Sequence, residues 1–486
     1  MKLSKLEPQA LWNHFLNICS IPHPSGHLEA ISDYVKECAE KGGLRTRVDG
    51  SGNILVSKPP TAGLENVPVI TLQSHLDMVP QKNQGTDHDF LTQPIRPLIE
   101  GEWVKAQGTT LGADNGIGVA AALAFLEDKA LTHGPVEALF TTDEETGMYG
   151  AIGLQDNFLM GDILLNLDTE QQAEICIGCA GGEEAGVVMP LIREPVKPDY
   201  SHVKVSLRGL KGGHSGLDID LGRANALKLM GLLLSGAADT FQLSVTDMSG
   251  GTVPNAIPRE AFCLVALPKS VVKSFVQYCS DFQKAISQKY AETDPGIAIT
   301  VNDVQGNAMV MESTTQQSFL RSLNDCPNGV IAKSKNLNGV VETSLNLSLV
   351  TTEEKSAQFH LLLRSSSESA RKELGVRLEK VFARSGGQVN LSGGYPGWQP
   401  DPQSRIVKLM KQSYQSLFNR ELKVEVVHAG LECGIIGAKY PAMELVSFGP
   451  TIRFPHSPDE AVHIESVGKF WRLLVHTVSM VGGIEG

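Results

Sequence analysis

Hydrophobic positions along the chain alternate between two periods. Over 9–19, 28–41 and 115–128 they recur at helical spacing, and near 52–57, 68–75, 136–142 and 162–167 they form short β-type runs. That alternation predicts an α/β layer architecture. The stretch "CAGGEEAG" interrupts it. From about 185 to 394 the texture changes to longer strand-like segments, such as "HVKVSLRGL" and "SAQFHLLLRS", separated by the helical stretches "RANALKLMGLLL" and "SARKELGVRLEKVF". This is the order of an α+β unit. "GGYPGWQPDP" then marks a Pro/Gly-rich crossing, after which helix patterns near 403–418 and 464–480 enclose a strand pattern at 443–448. One α/β domain with a mixed sheet and helices on both faces, split by a large α+β insertion, accounts for this order. Residues 1–184 and 395–486 form the first domain and 185–394 the insertion.

The predicted strand ends of the α/β parts carry a recurring chemistry. "VITLQSHLDMV" ends on His75 and Asp77, which a strand would place on one face. "GTTLGADNGIGVAAALAFL" sets Asp114 in a glycine-rich loop before a helix, and "ALFTTDEETGMYGAIGL" gives Glu144 and Glu145. "DILLNLDTE" ends at Asp168, and "ELVSFGPTIRFPHSPDE" reaches His456 between prolines. Singly, each has an ordinary reading as a helix cap, a turn residue, a solvated first turn or a satisfied core histidine. Together they lie beyond the carboxyl ends of strands, where open α/β sheets bind ligands. Crowded carboxylates raise one another's pKa unless a cation compensates. Histidine with carboxylate and no thiolate suits zinc, manganese or cobalt. Five donors exceed what one catalytic zinc takes, and suit two divalent ions sharing a bridging carboxylate.

Bulk properties narrow the setting. At 486 residues the chain is long enough for two or three domains, and 42% apolar with 20% charged residues is the balance of a soluble globular protein. A formal net charge of -12 argues against nucleic acid and against anionic membrane surfaces as partners. No apolar run has the length of a membrane span. The start "MKLSKLEPQALWNHFLNICS" reads as an amphipathic helix and not as a signal peptide, so a cytoplasmic location is expected. The eight cysteines are scattered. Cys176 and Cys179 have C-x-x-C spacing in a strand-like run, without the second pair that a zinc ribbon needs, and are expected to be reduced, buried thiols.

The set "HLD", "GADNG", "DEETG", "NLD" and "PHSPDE" resembles the di-zinc exopeptidase family that includes aminoacylase and glutamate carboxypeptidase. Within it the chain is more closely similar to the Xaa-His dipeptidase branch. "ICSIPHPSG", "SHLDMVPQKN", "GTTLGADNGIG", "GLKGGHSG", "NAIPREAF", "GVVETSLN", "YPGWQPD", "HAGLECG" and "GPTIRFPHSPDEAVHIESVG" carry that likeness over nearly the whole length. The resemblance implies a di-zinc catalytic domain interrupted by a lid. It implies one metal ion on His75, Asp114 and Asp168 and a second on Asp114, Glu145 and His456, most simply Zn2+, with Co2+ or Mn2+ as competitors. Asp77 would orient the His75 ring, and Glu144 would be the general base toward a water shared by the metals. The Asp114–Asn115 peptide would be cis. In the insertion, His214 would stabilise the oxyanion, and Asn255 and Arg364 would hold the substrate's C-terminal carboxylate. In relatives with a short lid this histidine comes from a partner subunit. The larger insertion here fits a His214 acting in its own chain, with a homodimer left open. Glu432 reads equally as a group for a free α-amino end or as structural. The implied activity is hydrolysis of unblocked dipeptides, Xaa-His (carnosine-like) and others. An N-acyl or ureido amidohydrolase is the alternative of the same fold, and an inactive binding protein would lack a donor or the base.

Overall fold

The computed structural model describes residues 3–306 and 308–481. The chain divides into two compact units, one of residues 1–178, 398–426 and 431–486, the other of 179–397 and 427–430. Each has its own apolar core. Residues 427–430, which the sequence pattern leaves with the last segment, group with the second unit because the Ala180 N–H donates to the carbonyls of Val427 and Ala429, both at 3.1 Å.

The first unit is built on an eight-stranded sheet. Its centre is a parallel quartet in the spatial order Val136–Thr141, Ile70–His75, Ile163–Asn166, Glu444–Ser447. The first three of these strands are buried along their whole length, as the β-branched and leucine runs in them require, and Val446 and Ser447 of the fourth are buried too. Ile54–Lys58 and Arg45–Val48 extend one side antiparallel. Because the central four run parallel, their carboxyl ends share one edge.

The helix Ala113–Glu127 carries almost no polar residue after Asn115 and is buried through Leu126, as a helix apolar on every side must be. The helix Gln9–Cys19 packs on it: a Cβ added to Gly116 would lie 3.3 Å from the Phe15 ring. The predicted helices at 28–41, 403–418 and 464–480 form as Glu29–Lys41, Arg405–Phe418 and Ile464–Val481. Cys176 and Cys179 lie buried on the strand Glu174–Cys179.

The second unit is an antiparallel nine-stranded sheet that includes Tyr200–Arg208, Val341–Thr352, Ser356–Ser365, Gly181–Pro190 and Gln388–Tyr395, with helices Ala226–Ala238 and Glu368–Ala383 among those in the same unit. Among the described residues no helix is long and apolar enough to cross a membrane.

Candidate metal centre

At the carboxyl edge of the parallel quartet, His75 is the last residue of its strand. Its Nε2 lies 3.1 Å from Asp114 Oδ1 and 3.4 Å from Asp168 Oδ1. The other oxygen of Asp114 is 3.1 Å from His456 Nε2, which is 3.0 Å from Glu145 Oε2. Asp114 thus turns one oxygen toward each histidine. Donor atoms of His75, Asp114 and Asp168 all lie within 4.8 Å of one another, and so do those of Asp114, Glu145 and His456. His75, Glu144 and Glu145 form a third such group. The Asp114–Asn115 peptide is cis.

The supporting contacts differ from the expected ones at Asp77. The strand ends at His75, so Asp77 lies in the following loop and shares no strand face with it. The His75 Nδ1–H donates to the Asp77 main-chain carbonyl at 3.1 Å, while the Asp77 carboxylate is 3.5 Å away. That carboxylate instead accepts from the N–H groups of Glu144 (2.9 Å) and Glu145 (3.1 Å) and from Ser25 Oγ (2.7 Å). Asp77 thus seats two acidic residues through its carboxylate and one imidazole through its main-chain carbonyl. Burial opposes its charge, yet these bonds and the neighbouring His75 hold its pKa down at about 2.

Two further residues were invisible to the pattern of donors. Asn115 donates to the Leu167 carbonyl at 3.0 Å and to Asp168 Oδ1. This is feasible only because residue 118 is glycine: a Cβ there would sit 2.0 Å from the Asn115 amide oxygen. Glu460, four residues past His456, accepts from the N–H groups of Leu111 (2.7 Å), Gly112 (3.0 Å), Ala113 (2.7 Å) and Asp114 (3.3 Å). One buried carboxylate therefore fastens the His456 loop to the Asp114 loop. It sits in the quoted "PHSPDE", but acidic spacing alone does not reveal a partner made of backbone. Glu460→Ala strands those buried amides and is expected to cost about 2–3 kcal/mol of stability. Glu460→Gln, which turns an NH2 toward some of the donors, falls between it and wild type, both read by urea unfolding of metal-loaded protein.

The donor set fits divalent cations. Asp114, Glu145 and Asp168 are three carboxylates around two imidazoles, with Glu144 beside them. Hydrogen bonds to Asp114 and Glu145 push the His456 pKa up to about 11, against burial. Burial also opposes a charged His75, but Asp168, Asp114 and Asp77 raise its pKa well above the usual imidazole range. So strong a hold on positive charge is what cations satisfy. Glu145 Oε1, buried and without a hydrogen-bond partner, is a further unspent donor. Burial lifts the Glu144 carboxyl well above the ordinary range, opposed by His75 and aided by Asp168, Glu432 and Glu145. Glu432 itself is turned into the sheet, where Gln73 Nε2 (2.6 Å) and Thr141 Oγ1 (2.9 Å) donate to it, which suits the structural reading.

The remaining predicted residues gather in the second unit. Gly213–His214 pairs with Ala256–Ile257, and the Ser215 N–H donates to the Asn255 carbonyl at 2.8 Å, which brings His214 and Asn255 together. The His214 Nδ1 accepts from the N–H groups of Gly216 (3.1 Å) and Leu217 (3.0 Å), so in the neutral ring the proton is on Nε2. Burial and nearby Arg364 lower its pKa and keep it neutral. A Cβ on Gly216 would be 3.2 Å from both Arg364 Nε and His214 Cε1, so these groups are neighbours. Arg364 is 5% exposed, its Nε has no hydrogen-bond partner, and among the described residues no carboxylate pairs with it.

Two donor triads sharing one aspartate, with a spare carboxyl beside them at the edge of an α/β sheet, form a candidate metal-binding cluster. The chain belongs to peptidase family M20/M25/M40, whose description matches residues 71–480, and it is a hydrolase of the metallopeptidase class. It is 46% identical over 480 residues to the cytosol non-specific dipeptidase of Escherichia coli, covering 99% of each chain. It is similar to the crystal structure of aminoacylhistidine dipeptidase from Vibrio alginolyticus, with 45% identity, a TM-score of 0.94 and coverage of 100% of this chain and 98% of that one. A tripeptidase from Staphylococcus aureus shares the fold, with 16% identity, a TM-score of 0.57 and coverage of 99% and 100%.

Proposed function

We propose that this protein is a cytoplasmic dipeptidase that cleaves unblocked dipeptides, Xaa-His among them, with two zinc ions held by His75, Asp114 and Asp168 and by Asp114, Glu145 and His456. Cobalt and manganese suit the same donors. The observation that carries the substrate class is Arg364: a buried guanidinium without a counter-ion is costly unless an anion completes it, and a carboxylate matches its fork. With Asn255, it holds the C-terminal carboxylate. The two relatives of similar length, both dipeptidases by name, support a dipeptide as the substrate.

Divalent ions supply Lewis acidity, polarising a carbonyl and acidifying water. The chain's own groups do the rest. Glu144, seated through its N–H by Asp77, takes a proton from the attacking water and returns it to the leaving amine. His214 directs its Nε2–H to the oxygen that gains charge, which a neutral, half-buried ring with a fixed tautomer is suited to do.

Gly-His and β-Ala-His are expected to be cleaved, and their N-acetyl derivatives left intact, when free amino acids are followed by chromatography with metal-loaded protein. Cleavage of the blocked substrates alone would overturn the dipeptidase reading in favour of a deacylase.

A further inference from the structure

In the second unit, four residues lie in one row across adjacent strands: Tyr395 is opposite Gly182, Gly182 opposite Arg364, and Arg364 opposite Ser344. Directly paired residues share a face of the sheet. With glycine between them, the tyrosine can reach over residue 182, and the Arg364 NH1 donates to its hydroxyl at 3.2 Å. The clearance is specific. A Cβ on Gly182 would lie 2.5 Å from the Tyr395 hydroxyl oxygen, and one on Gly430 would lie 2.9 Å from its ring. A register shift between Ser392 and Tyr395, with Gly393 at a φ of 64°, places the ring in this row.

On the far side, Ser344 Oγ is 2.7 Å from His428 Nε2. Burial and Arg364 lower the His428 pKa to about 4, so this neighbour is neutral and supplies no counter-charge. The phenol oxygen of Tyr395 accepts a hydrogen bond from Arg364, and among the described residues nothing accepts from its own O–H. Two unspent donors therefore flank the Arg364 NH1: its own Nε–H and the Tyr395 O–H.

We propose that the Tyr395 hydroxyl is a second recognition group for the substrate's C-terminal carboxylate, donating to it beside Arg364 and so setting selectivity for a free C-terminus. This rests on the reading of Arg364 given above. A hydrogen bond to a charged group lost here should be felt in binding and not in the chemical step.

The test is KM and kcat for Gly-His and for its C-terminal amide, with wild type, Tyr395→Phe, Gly182→Ala and Arg364→Lys, all metal-loaded. Tyr395→Phe is expected to raise KM for the acid about 10-fold with kcat nearly unchanged and KM for the amide raised less. Gly182→Ala, which displaces the hydroxyl without removing it, should erode the same acid-to-amide preference. A packing role would move both substrates alike. If Arg364→Lys collapses the preference while Tyr395→Phe and Gly182→Ala leave it intact, the proposal falls and the Arg364 reading stands. If none of the three changes it, the Arg364 reading falls and takes the proposal with it.

Discussion

Glu144→Gln is expected to lower kcat on Gly-His by ~10²–10⁴-fold while two metal ions per chain and the thermal midpoint are retained. The substitution preserves shape, and the main-chain N–H that Asp77 holds at 2.9 Å is untouched. What disappears is a carboxyl able to carry a proton. Burial raises its pKa, which makes the ionised carboxylate a stronger proton acceptor. Metal analysis by mass spectrometry separates this role from ligation, because Glu144 also groups with His75 and Glu145 within donor distance. Loss of one ion from the variant would make Glu144 a ligand and not the base.

Removing the metals is expected to have an effect of similar size on activity and a larger one on stability. Dialysis against a chelator leaves carboxylates facing one another, with only histidine protons between them. At a free-metal concentration 1,000-fold above its dissociation constant, each bound ion contributes about 4 kcal/mol to the folded state. Chelation should abolish hydrolysis and lower the thermal midpoint, and zinc, manganese or cobalt should restore both. Asp114→Ala should reproduce the loss irreversibly, with metal content well below two per chain, since its two oxygens face both histidines. Retention of two ions by that variant would rule out the bridging assignment.

Much of this was legible in the sequence because two kinds of signal survive in one dimension. Buried parallel strands write themselves as apolar runs, and the residue that follows each run falls at the sheet edge. That is why the strand ends alone place His75, Asp168 and the Glu144–Glu145 pair at the sheet edge. The helix starting near Asp114 was equally plain, being apolar on all sides. What did not survive is partnership with backbone. Asp77 was assigned by strand alternation, and the strand stops two residues too early for that rule. Glu460 binds four consecutive N–H groups, a partner with no side-chain identity to find. Tyr395 depends on a register shift and on two absent side chains, which spacing does not encode. The segment 427–430 follows an α/β rhythm in sequence, but its contacts belong to the other unit.

The clip made by Glu460 has a consequence for how the protein comes into being. His456 lies 342 positions after Asp114, and Glu460 lies 346 after it. A chain emerging from the ribosome exposes Asp114, Glu145 and Asp168 early, yet has neither the second histidine nor the carboxylate that fastens the Asp114 loop until all of residues 179–397 of the second unit have been made. A product stalled before His456 would therefore hold the first donor triad without the second, its Asp114 loop lacking the four-amide anchor that Glu460 provides.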